Sequence, residues 1–384
     1  MNKDFHYYAA YCAAYLAGYD HAESLDIAYS DQFTDICTRT YLKSVKGPGA
    51  AATTQLQTEL LDAPTDPVGL QDITRIWASF HFLPYDLTAK PKGHSSRRYL
   101  HKYRLICKPN GSLVKDTVEL ARGKTLQAAG LAMHVLSDTW AHSYFAGTPS
   151  LVINNTNHHF FEIMQDGTRR QIAFKHSPTA PDDLEKSIYM NSLYQSAENN
   201  IMNLGHGRAG HLPDYSFARY AYLPAWGDYN ELIKDNPSDY YHAFCQMITA
   251  LASLREEGGE FETGVYDTVR VAGYEDRIKG IINTRKADLC DEWKAFGEEL
   301  SGVQIEDFNP DKYKQEYMTA EDKKDTFLGM FFIAAMAQKS MVTERIHKSH
   351  NPLAGYSVKY RKFGFKGIRD YRNLVEYKIG RSKD

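Results

Sequence analysis

The chain has 384 residues, 43% of them hydrophobic, which suits one large domain or two fused ones. A formal charge of −3 sets up no global field for a nucleic acid or an anionic membrane. Five scattered cysteines without a CxxC argue against a disulfide framework and predict reduced thiols in a cytoplasmic protein.

The opening residues, MNKDFHYYAAYCAAYLAGYD, lack the basic start, apolar run and cleavage site of a secretory leader. Residues 6–18 are Ala-rich and predict a helix ending at Gly18. Asp20 and Glu23 have the spacing of a capping box, opening a second helix over SLDIAYSDQFTDI. GPGAAATT (47–54) reads as a loop. A third helix runs from about Gly69 through LQDITRIWASFHF and stops before Pro84. KPNGSL (108–113) reads as a turn. LAMHVLSDTWAHSYFAG (131–147) predicts a helix capped by Thr125 and stopped near Gly147. Residues 148–215 are rich in Asn, His, Gly and Pro and read as loops of the functional kind. From about Pro237 the chain is helical again, with Thr319 and Asp322 capping a helix that buries Phe327, Phe331 and Met336.

The longest apolar run, 327–337, is too short to cross a bilayer, so no membrane span is expected. The tail after Gly355 carries nine Lys/Arg against three acids, interleaved with Tyr and Phe, and reads as a solvated end. The expected fold is all-α, a multi-helix bundle with long loops. Its parts are a metal-binding helical core over 1–235, a helical part over 236–350 packed on that core, and a basic aromatic tail over 351–384.

His134, Asp138 and His142 stand four residues apart twice over. Steps of four advance about 400° round a helix, so the three share one side. Imidazole and carboxylate are ligands that zinc accepts. Other segments add donors. His6 lies on the first helix, Asp31 and Asp35 on the second, and His81 in ASFHFLPYD. His158 and Glu162 stand in NNTNHHFFE; His206, His211 and Asp214 stand in LGHGRAGHLPD. Helical proteins build multinuclear sites from such inward-facing side chains. No nucleophile elbow or paired cysteine competes: GTPSL around Ser150 lacks GxSxG.

This order of motifs resembles the zinc-dependent phospholipase C and S1/P1 nuclease superfamily over roughly residues 1–215. DFHYYAAYCAAYLAGY and GHGRAGHLPD also look like an uncharacterised bacterial family beside it. The resemblance matches His6 to the first-helix histidine and His81 to the "WHF" histidine. HVLSD supplies His134 and Asp138, followed by His142. It implies a bundle of that superfamily's type and two or three zinc ions, with Asp138 bridging two of them as the catalytic carboxylate. His81, His134 and either Asp31 or Asp35, preferably Asp35, would complete the first zinc. His142 would bind the second, together with either His158 and Glu162 or His206 with His211 or Asp214. The superfamily uses an N-terminal Trp amine for its third metal. This chain begins Met-Asn-Lys-Asp, so either Asp4, two residues before His6, substitutes as an oxygen ligand or the site is dinuclear.

The activity implied is hydrolysis of a phosphate ester by a metal-held hydroxide, on a substrate of unspecified class. Mixed His/carboxylate donors also accept iron or manganese. Two other classes fit the same residues: a non-catalytic metal-binding protein, and a helical interaction module with structural histidines. An HD-type phosphohydrolase wants adjacent His-Asp, and YDHAE reverses that pair.

Overall fold

A short π-helical stretch, Asp4–Ala9, opens the chain and runs into α1 (Ala10–Leu16). Alanines let this segment lie deep in the molecule, and Gly18 at φ +98° ends it. Asp20 then caps α2 (His21–Phe33): its carboxylate accepts from the Glu23 amide, and the Glu23 carboxylate accepts from the Asp20 amide. The helices that follow are α3 (Arg39–Ser44), α4 (Gln57–Leu61), α5 (Pro67–Phe80), α6 (Arg97–Tyr103), α7 (Ser112–Ala121), α8 (Leu126–Ala141) and α9 (Leu151–Asn154). Later come α10 (Asn236–Arg255), α11 (Glu275–Asn283), α12 (Cys290–Ser301), α13 (Lys314–Thr319) and α14 (Phe327–Lys348). The computed structural model describes residues 1–61, 67–156, 159–176, 180–191 and 204–354.

Helix α8 is the centre of the molecule. Almost every residue along it is buried, and α2, α7, α10 and α14 pack around it. Its start is the expected Thr125 cap, whose hydroxyl accepts from the Ala128 amide. Its end falls at Ala141, six residues before Gly147, with His142 as the C-cap. The cap of α14 is Thr326, which accepts from the Gly329 amide, rather than Thr319. Among the described residues no helix is long and apolar enough to cross a membrane.

The all-α expectation is wrong. Helix makes up about 52%, but among the described residues six strands form two sheets, a mixed α/β fold. Strand β1 (Phe161–Ile163) pairs antiparallel with β2 (Arg169–Gln171) and with β5 (Arg219–Tyr222), and β5 pairs with β6 (Leu232–Asp235). Between them, β3 (Ala173–Lys175) and β4 (Ile188–Met190) form a parallel pair. The strands are only three or four residues long, too short to impose a visible alternation. One signal was present: Asp166-Gly167, with Gly167 at φ +81°, turns the chain between β1 and β2. Phe160, Ile172, Tyr189, Tyr220 and Tyr222 give this sheet region its own apolar core.

The close approach of α2 and α8 depends on Gly130. A Cβ there would lie 2.2 Å from the Ile27 carbonyl oxygen and 2.7 Å from Ser30 Cβ. A backbone atom cannot rotate away, so Gly130→Ala must push the two helices apart. We expect it to destabilise the fold by about 3 kcal/mol, read from the midpoint of chemical denaturation. An unchanged midpoint would show that the two helices have room to spare.

Candidate metal centre

The elements above bring four separate segments to one buried point. His6 comes from the π-helical stretch, a distortion that often marks functional positions. Asp31 lies on α2, with Asp35 just past its end; His81 directly follows α5; His134 and Asp138 lie on α8, and His142 caps it.

Asp31 is the anchor of the first half. Its Oδ1 lies 2.7 Å from His6 Nδ1 and 3.2 Å from His134 Nδ1. A neutral imidazole that gives its Nδ1 proton to a carboxylate keeps its lone pair at Nε2, the arrangement found behind metal-ligating histidines. His134 Nε2 is 3.2 Å from His81 Nδ1 and 3.2 Å from Asp138 Oδ2. His81 Nδ1 is 3.0 Å from Asp138 Oδ2, while its Nε2 donates to the Thr53 carbonyl at 3.1 Å. The 47–54 segment therefore does more than cover the site: it fixes that ring. Asp35 Oδ1 stands 3.8 Å from both His81 Nδ1 and His134 Nε2. His6 Nε2 lies 3.3 Å from Asp138 Oδ1, is buried, and has no hydrogen-bond partner among the described residues.

The second half lies on the other side of Asp138. His142 Nδ1 donates to the His81 carbonyl at 2.8 Å, which leaves Nε2 facing Asp214 Oδ1 at 3.2 Å. The Met1 amine sits 2.7 Å from Asp138 Oδ1 and 3.4 Å from Asp214 Oδ1. The Asn236 amide donates to the carbonyls of Leu212 and Tyr215, both at 2.8 Å, and so holds the turn bearing Asp214 in place.

Among the described residues four carboxylates thus share a site with the Met1 amine. Their charge must be balanced, because an uncompensated buried ion is very costly. Without metal, protons do the balancing. Burial alone would lower the His134 pKa, but Asp138, Asp35 and Asp31 outweigh it and raise it to about 10. His6 is raised despite burial, by Asp31 and Asp138. The Met1 amine is raised to about 11 by Asp138, Asp214 and Asp35 against its own desolvation. Asp138 is held well below the usual carboxylate range despite burial, by His142, the amine, His134 and His6. Burial lowers His81. Donors with lone pairs aimed at one another, 3.0–4.0 Å apart, are spaced as ligands of a shared cation: bonds of about 2.0 Å put tetrahedral neighbours roughly 3.3 Å apart.

The chain belongs to DUF6765, a family of unknown function, whose model matches residues 1–346. The DUF6765 match therefore spans every residue of the cluster. No curated protein and no solved structure matches the chain.

Of the residues named from sequence, His6, Asp35, His81, His134, Asp138 and His142 come together, and Asp31 joins them from behind. Asp214 joins from the alternatives left open for the second ion. Glu162 does not. It is buried on β1, accepting from Ser187 at 2.6 Å and Tyr189 at 3.1 Å, and paired with Arg285 at 2.5 Å. A strand replaced the helix that the HxxxE spacing assumed. His211 also stands apart: its Nδ1 meets Asp182 Oδ2 at 2.9 Å and its side chain is 54% exposed. His158 and the side chain of His206 lie outside the described residues. Asp4 does not replace the amine. Its carboxylate accepts from the backbone amides of Phe5 and Leu289, tying the N-terminal stretch to the segment before α12. The Met1 amine had no side-chain signal, only its distance of five residues from His6.

Proposed function

We propose that this chain is a metal-dependent hydrolase of phosphate esters. The observation that supports it is the buried meeting of four imidazoles, four carboxylates and an amine, with His6 Nε2 facing Asp138 Oδ1 and without a hydrogen-bond partner among the described residues. One ion would be held by His6, His81, His134 and Asp35, and a second by His142, Asp214 and the Met1 nitrogen. Asp138 faces both sets, which suits the bridging role. Zinc, iron or manganese suits these donors and supplies Lewis acidity toward a phosphoryl oxygen and acidifies water at neutral pH.

The protein's own part is orientation and access. Asp31, the Thr53 carbonyl and the His81 carbonyl fix the rings of His6, His134, His81 and His142. Asp35, with 30% of its side chain exposed, is the most open member and marks where a substrate would enter. A closed site that binds metal without turnover is the second reading, favoured by the burial of the remaining histidines. Elemental analysis with a bis-p-nitrophenyl phosphate assay separates them. Two ions per chain with turnover supports hydrolysis, and ions without turnover supports the closed site. Less than one ion per chain after metal-replete expression defeats both.

A further inference from the structure

The net charge of −3 hides a basic segment. Residues 87–115 contain eight Lys/Arg and no Asp or Glu, so the rest of the chain is distinctly acidic. Lys90, Lys92, Arg97 and Arg98 of this segment are exposed. Two arginines open the first turn of α6, where a helix terminus repels cations. Local helix stability does not account for them.

Aromatic rings line the same surface in an unbroken chain. His94 stacks on Tyr99 at 4.3 Å and 16°, and Tyr99 on Tyr103 at 5.8 Å and 20°. Tyr103 meets Trp226 edge-on at 6.3 Å, and Trp226 stacks on Tyr144 at 6.0 Å and 16°. The Tyr99 hydroxyl donates to the Trp226 carbonyl, and the Trp226 indole donates to the Tyr144 carbonyl, both at 3.0 Å, so the row is held rigidly. Lys108 ends it, its Nζ 5.2–5.8 Å from the ring centres of Tyr85, Tyr144 and Trp226. No carboxylate balances that ammonium among the described residues. Tyr85, 44% exposed, leaves a ring open to stacking.

The chain also returns to this place. The Asn351 amide donates to the His101 carbonyl of α6 at 2.6 Å. Cations that track a backbone, interleaved with flat rings, are the requirements for holding a single-stranded nucleic acid. An anionic lipid surface would use the cations and leave the stacked rings without a role.

We propose that this surface, α6 with the Lys108 ring cluster, binds single-stranded nucleic acid, its phosphates on the cations and its bases on the rings. The proposal does not rest on the metal centre. The test is fluorescence anisotropy of a labelled mixed-sequence strand of about 20 nucleotides, with the full chain kept in EDTA. Binding is expected, with log affinity falling linearly against log salt by about 0.7 for each phosphate contacted. The double variant Arg97→Glu/Arg98→Glu is expected to lose at least about tenfold in affinity. Tyr85→Ala is expected to weaken the strand several-fold and a duplex of the same sequence hardly at all. Circular dichroism confirms that the variants fold. Absence of binding, or affinity unchanged in the double variant, overturns the proposal. So does equal affinity for duplex, or sedimentation with phosphatidylserine vesicles by a chain that ignores the strand.

Discussion

Asp138→Ala is expected to empty the centre, taking the metal content from two ions per chain to less than one. It is also expected to reduce bis-p-nitrophenyl phosphate hydrolysis by about 10³-fold, the scale of losing metal-assisted charge stabilisation. The reason is position. Asp138 is the carboxylate that faces both halves, within 2.7–3.5 Å of His81, His134, His6, His142 and the Met1 amine. Removing it leaves the fully buried amine with Asp214, at 3.4 Å, and the more distant Asp35 as its acidic neighbours among the described residues. Losing one partner of a buried pair costs about 3–5 kcal/mol, so the metal-free variant should melt at least about 5 °C below the metal-free parent. Asp138→Asn keeps the shape and removes the charge. It should lose metal as fully as the alanine variant if negative charge between two cations is what matters. Retention of two ions by either variant would remove Asp138 from the bridging role.

Chelation should expose a dependence on pH that the loaded protein lacks. His134 binds its proton more tightly when folded, at about 10 against 6.5 unfolded. Its contribution is therefore complete below pH 6.5 and is lost as pH rises through about 10. The Met1 amine behaves alike, between 8.0 and about 11. Asp138 works in the opposite direction: its depressed folded value gives stability that is present above 3.8 and lost in acid. The metal-free protein should thus be most stable between about pH 4 and 6.5 and weaken steadily toward alkaline pH, by roughly 1.4 kcal/mol for each unit of His134 shift traversed. Under the proposed function metal ions would replace those protons, with an affinity that rises with pH. A thousandfold excess over Kd adds about 4 kcal/mol. The drop in Tm caused by EDTA should consequently grow from pH 6 to pH 9. An EDTA effect that is absent at every pH would leave the cluster as a set of structural hydrogen bonds.

Helical periodicity carried most of what could be read in advance. Four-residue spacing puts His134 and Asp138 on one side of α8 whatever else the chain does, and both face the cluster. Asp20 and Thr125 marked the starts of α2 and α8 because capping is local chemistry. The failures share a cause. HHFFE has helical spacing but is strand-forming in composition, and the pairing of β1 with two distant strands decides its conformation. Pairing at such range leaves no mark on spacing. Asp31 and Asp35 were left as alternatives, whereas the structure uses both: one carboxylate holds the backs of two rings and the other faces their lone pairs.

The nitrogen between Asp138 and Asp214 is a primary amine only when no residue precedes Met1. Acetylation would cancel its charge and remove its lone pair, and an affinity tag fused upstream would turn it into an amide with bulk on both sides. Where Met1 is the first residue, recombinant material for an assay should therefore carry its tag at the carboxyl end, because a blocked nitrogen would remove one of the donors facing Asp138 and Asp214.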